Sequence, residues 1–258
     1  MKYFIDTEFL EGKQNKRFLG IKYGETKPTI DLVSIGIVCE DGREYYAISK
    51  DFNLKEAWER YDLVKDGFRD MGLTPNYKKV YWLRDNVLKP IWIELSLKKD
   101  SKYTKEEIMY IWDKLTNSER YFRMKLLLQL FGKTNKQIAK EVKEFVGTEE
   151  TIGNWNEVKD KMNTQFYGYY SDYDWVVFCW LFGKMINLPK GFPMYCIDLK
   201  QELDNKADRL RLPNTELSKE QMIETIKCAA NYPKQTNEHN ALRDAHWNYE
   251  LYKFLQQL

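Results

Sequence analysis

The chain has 258 residues, 43% of them hydrophobic and 31% charged, with a formal net charge of +2. That length suits one large domain or two small ones and can bury a substantial core, and the composition is that of a globular protein. The near-neutral balance excludes a global electrostatic attraction to nucleic acid or membrane, so a polyanionic ligand would need local basic patches or bound cations.

The first element is an apolar strand, Tyr3 to Phe9, interrupted by Asp6 and Glu8. A loop from Glu11 to Thr29 follows. It carries Lys13, Lys16, Arg17, Lys22 and Lys27 against Glu11 and Glu25, with Phe18 and Tyr23 interspersed. Two readings fit this loop: a solvated hairpin, or a grasping loop whose cations meet phosphates and whose rings meet bases. Asp31 to Cys39 (DLVSIGIVC) predicts a buried strand, Glu40-Asp41-Gly42 a tight turn, and Arg43 to Ser49 the return strand. Residues 54 to 97 are mixed. Lys78 to Leu88 reads as a helix that Pro90 stops, and Pro90 to Leu97 as a short strand or connector. Thr104-x-x-Glu107 and Thr134-x-x-Gln137 are capping boxes. With a helix over Ser118 to Phe131 between them, they predict consecutive helices over 104 to 146. Gln165 to Tyr170 reads as a strand, Asp172 to Phe182 as a helix, and Met194 to Ile197 as a short strand with a polar helix starting at Asp198. Ser218-x-x-Gln221 opens a helix to about Asn231, and a last helix runs from about Asn237 to Leu255.

This order predicts a mixed α/β sheet protein in one domain, residues 1–258. Cys39, Cys179, Cys196 and Cys228 have no metal-ligand spacing, and three of them sit in apolar runs, so reduced thiols are expected. The longest apolar run, Trp175 to Phe182, is too short to span a bilayer, and no signal segment opens the chain. A cytoplasmic location without membrane attachment is the expectation.

The chemistry-bearing residues fall in three places. On a strand, Asp6 and Glu8 point to one face. Like charges that close raise the cost of ionising each other, and a divalent cation is the usual compensation. The plainer alternative leaves one carboxylate solvated and the other capping a turn. Asp172 and Asp174 open the helix after the 165–170 strand, Asp172 as a candidate N-cap and Asp174 just before an apolar run. His239 and Asp244 are five residues apart. Five residues turn a helix by about 500° and leave two side chains some 140° apart. They share a site only if His239 lies in the preceding loop or in a fraying first turn, with Asp244 then in the second turn, an arrangement that Asn237 as the cap allows.

The set Asp6-x-Glu8, Asp174, His239-x4-Asp244 resembles the DEDDh 3′→5′ exonucleases, with FIDTEF and HNALRDA similar to the family's first and third motifs. The wording is similar to a compact bacterial exoribonuclease subgroup over residues 1–50 and 134–258, leaving about 97–133 as a helical insertion. The resemblance implies a ribonuclease H-like fold and selects Asp174 over Asp172. It implies Asp6, Glu8, Asp174 and Asp244 as ligands of two Mg²⁺ ions, with Mn²⁺ able to substitute, and His239 as general base. The implied partner is a single-stranded RNA 3′ end, with DNA left open, and a homodimer is compatible because relatives often dimerise. Position next to Glu8 makes Thr7 and Phe9 candidates for nucleotide contact, and Lys16 and Arg17 candidates for the RNA backbone. An inactive nucleic-acid-binding module and a hydrolase of small phosphoesters are the competing readings.

Overall fold

The computed structural model describes residues 1–69, 74–147, 164–211, 217–236 and 238–258. In chain order the elements are β1 (Lys2–Gly12), β2 (Asn15–Phe18), β3 (Ile21–Glu25), β4 (Thr29–Cys39), β5 (Glu44–Ile48), α1 (Leu54–Glu59), β6 (Asp62–Arg69) and β7 (Thr74–Val80). A π-helical turn (Arg84–Leu88) then leads into α2 (Lys89–Lys99), α3 (Lys105–Lys114), α4 (Asn117–Phe131) and α5 (Asn135–Val146). The chain continues through β8 (Gln165–Gly168), α6 (Asp172–Leu181), β9 (Ile197–Asp198), α7 (Leu199–Leu210), α8 (Lys219–Lys227) and α9 (Ala241–Leu255). Two compact units result. Unit 1 comprises Met1–Phe9, Leu32–Ala47 and Thr134–Leu258; unit 2 comprises Leu10–Asp31 and Ile48–Lys133. The helices expected as an insertion at 97–133 lie in unit 2, together with both of its hairpins.

Unit 1 is a mixed five-stranded sheet in the order β5-β4-β1-β8-β9 with helices packed on it, so β1 is the central strand. β8 runs parallel to β1 with Tyr3 opposite Phe166 and Phe4 opposite Tyr167. Because side chains alternate, these two pairs mark the two faces. Tyr3 stacks on Phe166 (5.4 Å), which meets Trp175 and Phe178 of α6. Phe4 stacks on Tyr167 (5.3 Å) and meets Tyr249 and Tyr252 of α9. The Tyr3 and Phe4 rings are fully buried, each contributing roughly 1.5–3 kcal/mol by leaving water. The same alternation gives Asp6 and Glu8 the α9 face and Thr7 the α6 face.

Two glycines allow close approaches that set the helices. A Cβ on Gly36 of β4 would lie 2.2 Å from the Ala241 carbonyl oxygen, so α9 begins directly against the strand. A Cβ on Gly168 would lie 2.7 Å from the Ser171 side chain, where β8 turns sharply into α6 through Tyr170 at φ +53°. Ser171 is the N-cap of α6, not Asp172, which is its first residue and exposed. The cap of α9 is Asn240, whose side chain accepts from the Arg243 N–H; the expected cap Asn237 lies outside the described residues.

The two ends of the longer segment of unit 2 meet, where Lys133 donates its N–H to Ile48 and accepts from Lys50. Its core is built on indoles. Trp112 meets Trp92 at 5.0 Å and Trp58 at 6.0 Å, and Trp58 Nε1 donates to Asn117. β1 runs on to Gly12, and the basic loop after it is the hairpin β2–β3. Thr116 and Glu119 cap α4 with a box absent from the sequence reading.

The 54–97 reading needs correction. Lys78 is in a strand, because β7 pairs with β6. Pro90 does not stop a helix; it sits in the first turn of α2, where its missing N–H costs nothing. The π turn before it carries the chain into α2 through the Lys89 N–H to Arg84 bond. Among the described residues no helix is long and apolar enough to cross a membrane. All four cysteines are free, with Cys39 and Cys179 buried and Cys228 exposed.

Candidate active site

Asp6, Glu8 and Asp244 offer carboxylate oxygens that all lie within 4.8 Å of one another. β1 supplies the first two on one face, and α9 supplies the third. Asp244 lies in the first turn of α9, because the helix starts at Ala241. The helix is pinned there by Asn248, one turn beyond Asp244, whose Nδ2 donates to the Ile5 carbonyl at 2.9 Å. Asn248 is 1% exposed, so it joins α9 to the strand immediately before Asp6.

Asp174 reaches the cluster from the other face of the strand. Its Oδ1 accepts from the Thr7 N–H (2.8 Å) and from the Thr7 hydroxyl (2.6 Å). Thr7 is buried, and both its donors are committed to this carboxylate. One residue of β1 therefore holds the carboxylate from α6, while its two neighbours meet the carboxylate from α9. Asp172, by contrast, points to solvent from the first position of α6.

Asp244 is gripped at both oxygens. Gln235 Nε2 donates to Oδ1 (2.6 Å), and the His239 backbone N–H donates to Oδ2 (2.9 Å). His239 sits in the loop ahead of Asn240, half-buried, with φ +67°. This left-handed backbone is uncommon for a side chain larger than glycine and brings the N–H round to Asp244. A five-residue spacing that fails on a continuous helix thus becomes a hydrogen-bonded pair.

The electrostatics are those of anions crowded without a counter-charge. Burial pushes the Asp6 carboxyl well above its ordinary range, and the charges of Asp174, Glu8 and Asp244 push it further. Burial, then Asp244 and Asp174, raises Glu8 to about 8. Burial raises Asp174 to about 6 against the two Thr7 hydrogen bonds. Asp244 is also raised, by burial, with the bonds from Gln235 and His239 opposing. Among the described residues no lysine or arginine pairs with any of the four. Buried carboxylates with no protein cation are costly unless a cation joins them. The donor set is all oxygen and suits a hard divalent ion.

Phe9 lies at the edge of this group, half-buried, with its ring edge-on to Tyr173 at 5.8 Å. Lys16 and Arg17 belong to β2 of unit 2. Lys16 is exposed, and Arg17 is engaged by Glu59 at 2.6 Å.

Three residues were passed over in the sequence. Asn248 had a signal: it stands at core spacing in α9, between Ala245 and Leu251. Tyr173 adjoins the second acidic motif. Gln235 lies in a loop with no periodicity, and nothing in the sequence marks it.

The sequence profile of the family described as "3'-5' exoribonuclease Rv2179c-like domain" matches residues 1–256. Two curated relatives from Mycobacterium tuberculosis also match: "3'-5' exoribonuclease Rv2179c" of strain ATCC 25618 / H37Rv and "3'-5' exoribonuclease MT2234.1" of strain CDC 1551 / Oshkosh. Each is 45% identical over 62 residues, covering 23% of this chain and 29% of the relative. The chain therefore spans under a third of the length of the curated relatives it matches.

Proposed function

The chain belongs to the 3'-5' exoribonuclease Rv2179c-like domain family, and on that premise we propose that it removes nucleotides from the 3′ end of single-stranded RNA. Unit 1 serves as a DEDDh-type core of ribonuclease H-like fold. The observation that carries this reading is the convergence of Asp6, Glu8 and Asp244 within 4.8 Å, with Asp174 bonded to the residue between the first two.

The four carboxylates would hold two divalent ions, Mg²⁺ with Mn²⁺ as substitute. When bound, such ions supply an activated water and stabilisation of the departing 3′ oxygen. The side chains do the rest. Asp6, Glu8 and Asp244 set the negative field that attracts the cations. Thr7 fixes Asp174 with two charge-assisted bonds, so we assign it to positioning this ligand in place of contact with the nucleotide. Gln235 and the His239 N–H orient Asp244 in the same way.

His239 is the general base. Imidazole changes charge near neutral pH and accepts a proton from the attacking water when neutral. Its backbone N–H is tied to Asp244, which supports a role next to this ligand. Phe9 and Tyr173 offer ring faces and edges to the terminal base. Lys16 and Arg17 meet the RNA backbone, with Lys16 the more available because Arg17 is paired.

The test is a 5′-labelled RNA and a matched DNA, each with a 3′ single-stranded tail, incubated with Mg²⁺, Mn²⁺ or EDTA. We expect a ladder of RNA shortened from the 3′ end that vanishes in EDTA. Products in EDTA, or internal cuts as the first products, would overturn the mechanism. Equal rates on DNA would extend the substrate class to both polymers.

A further inference from the structure

The β6–β7 ribbon of unit 2 plays no part in the chemistry above. Its register sorts its side chains. Leu63 pairs with Lys79 and Lys65 with Tyr77, so these four share one face; Asp62 pairs with Val80 and Val64 with Lys78 on the other. Tyr61 and Tyr81 continue the first face, with rings 5.7 Å apart. That face reads Tyr61, Leu63, Lys65 along one strand and Tyr77, Lys79, Tyr81 along the other. Lys79 lies 4.1 Å over the Tyr61 ring, and Arg84 lies 3.9 Å over the Tyr81 ring.

Among the described residues of the ribbon, the acids are on the opposite side. Asp66 pairs with Lys78 at 3.3 Å, and Asp62 shares that face by register. Among the described residues the ribbon thus has its rings with Lys65 and Lys79 on one face, and its carboxylates with Lys78 on the other. Tyr77 is 54% exposed and Leu63 61% exposed. A two-stranded ribbon gains little from showing tyrosines to water, since it is marginal alone and apolar burial is its main support. Rings beside cations on one exposed face match the surface that single-stranded nucleic acid requires: stacking platforms for bases and positive charge for phosphates.

We propose that the tyrosine–lysine face of the β6–β7 ribbon binds single-stranded RNA, a second contact separate from the carboxylate site. Tyr61 and Tyr77 stack on bases, and Lys65 and Lys79 meet phosphates. That the strand is RNA rests on the proposed activity; the polarity of the ribbon does not.

The experiment is fluorescence anisotropy of a labelled single-stranded RNA with the full chain in EDTA, where cleavage is blocked, over a range of salt. The Tyr61→Ala/Tyr77→Ala variant should bind about tenfold more weakly or worse, at the scale of lost base–aromatic stacking. The Lys65→Glu/Lys79→Glu variant should bind more weakly and lose roughly 0.7 from the log–log salt slope per phosphate contact removed. A Val64→Ala/Lys78→Ala variant alters the opposite face and should match wild type. Wild-type affinity in both the tyrosine and lysine variants overturns the proposal, as does an equal loss in the opposite-face variant. A concentration-dependent dimer that the tyrosine variant abolishes, with RNA affinity unchanged, would assign the face to protein contact instead. Failure of the nuclease reading is seen separately, as absence of cleavage by wild type in Mg²⁺.

Discussion

The two units break the ordinary burial rule in opposite directions. Unit 1 takes three carboxylates out of water, Glu8, Asp174 and Asp244, and sets the half-buried Asp6 among them. Unit 2 leaves large apolar groups in water. Phe18 and Ile21 flank the tip of the β2–β3 hairpin, and Tyr61 and Tyr77 stand on the β6–β7 ribbon, all exposed. Neither arrangement helps the chain fold. Buried like charges repel and lose hydration, and exposed rings forgo burial. Each makes sense if a ligand completes it: a cation in unit 1, and a polyanion with stackable bases in unit 2. The contrast yields opposite expectations. Unit 1 should respond to divalent metal and pH, and unit 2 to monovalent salt and base stacking.

The sharpest way to break the comparison is to remove a charge from unit 1. Asp6→Asn and Asp244→Asn should each lower cleavage by about 10³-fold or more, because each removes stabilisation worth several kcal/mol in the transition state. Neither should unfold the protein. Each relieves repulsion, so the melting temperature in EDTA should stay level or rise. RNA affinity in EDTA should hold as well, since the exposed faces of unit 2 are untouched. Retained cleavage would remove the carboxylates from the chemistry.

Next in size is His239. A plain alanine confounds two roles, because the backbone N–H of this residue holds Asp244 from a left-handed conformation. His239→Asn separates them, since asparagine tolerates that backbone and keeps the N–H. We expect a loss of roughly 10²–10⁴-fold in kcat, the usual worth of a general base, with unchanged metal affinity. A loss below about tenfold would leave His239 with its backbone role alone.

The legibility of these features in the sequence follows their physics. The pairing of Asp6 with Glu8 was readable because strand alternation is a local rule. Asp174 and Asp244 were joined to them only through the family resemblance, since nothing local links residues so far apart in the chain. The use of Thr7 was not readable. Its neighbours suggested a nucleotide contact, whereas the β1–α6 crossing gives both its donors to Asp174. The capping boxes at Thr104, Thr134 and Ser218 located helix starts because the cap is a local bond. The β6–β7 ribbon was missed for the opposite reason. Lys78 and Lys79 read as the start of a helix to Leu88, and only cross-strand pairing holds them extended. Pro90 misled likewise, since a proline that ends one helix and one that opens the next are the same residue in the sequence.

The smallest effect expected is also the one that best separates the units, since it needs no substitution. In the metal-free protein Glu8 is raised from 4.5 to about 8 and Asp174 from 3.8 to about 6, with Asp6 and Asp244 raised as well. Between the ordinary and the raised values the folded protein holds protons that the unfolded chain has released. Stability must then fall as pH rises through that window. In EDTA the melting temperature should decline from about pH 5 to pH 8, at roughly 2–4 °C per kcal/mol for a chain of this size. Divalent metal binds the deprotonated carboxylates, so the Mg²⁺-induced rise should be small at pH 5 and grow towards pH 8. Asp6→Asn should flatten both trends, and the Lys65→Glu/Lys79→Glu change should leave them alone. A Mg²⁺ shift of the same size at both pH values would mean that the metal meets surface acids and not the buried cluster. The division between a unit that answers to cations and a unit that answers to polyanions would then lose its first half.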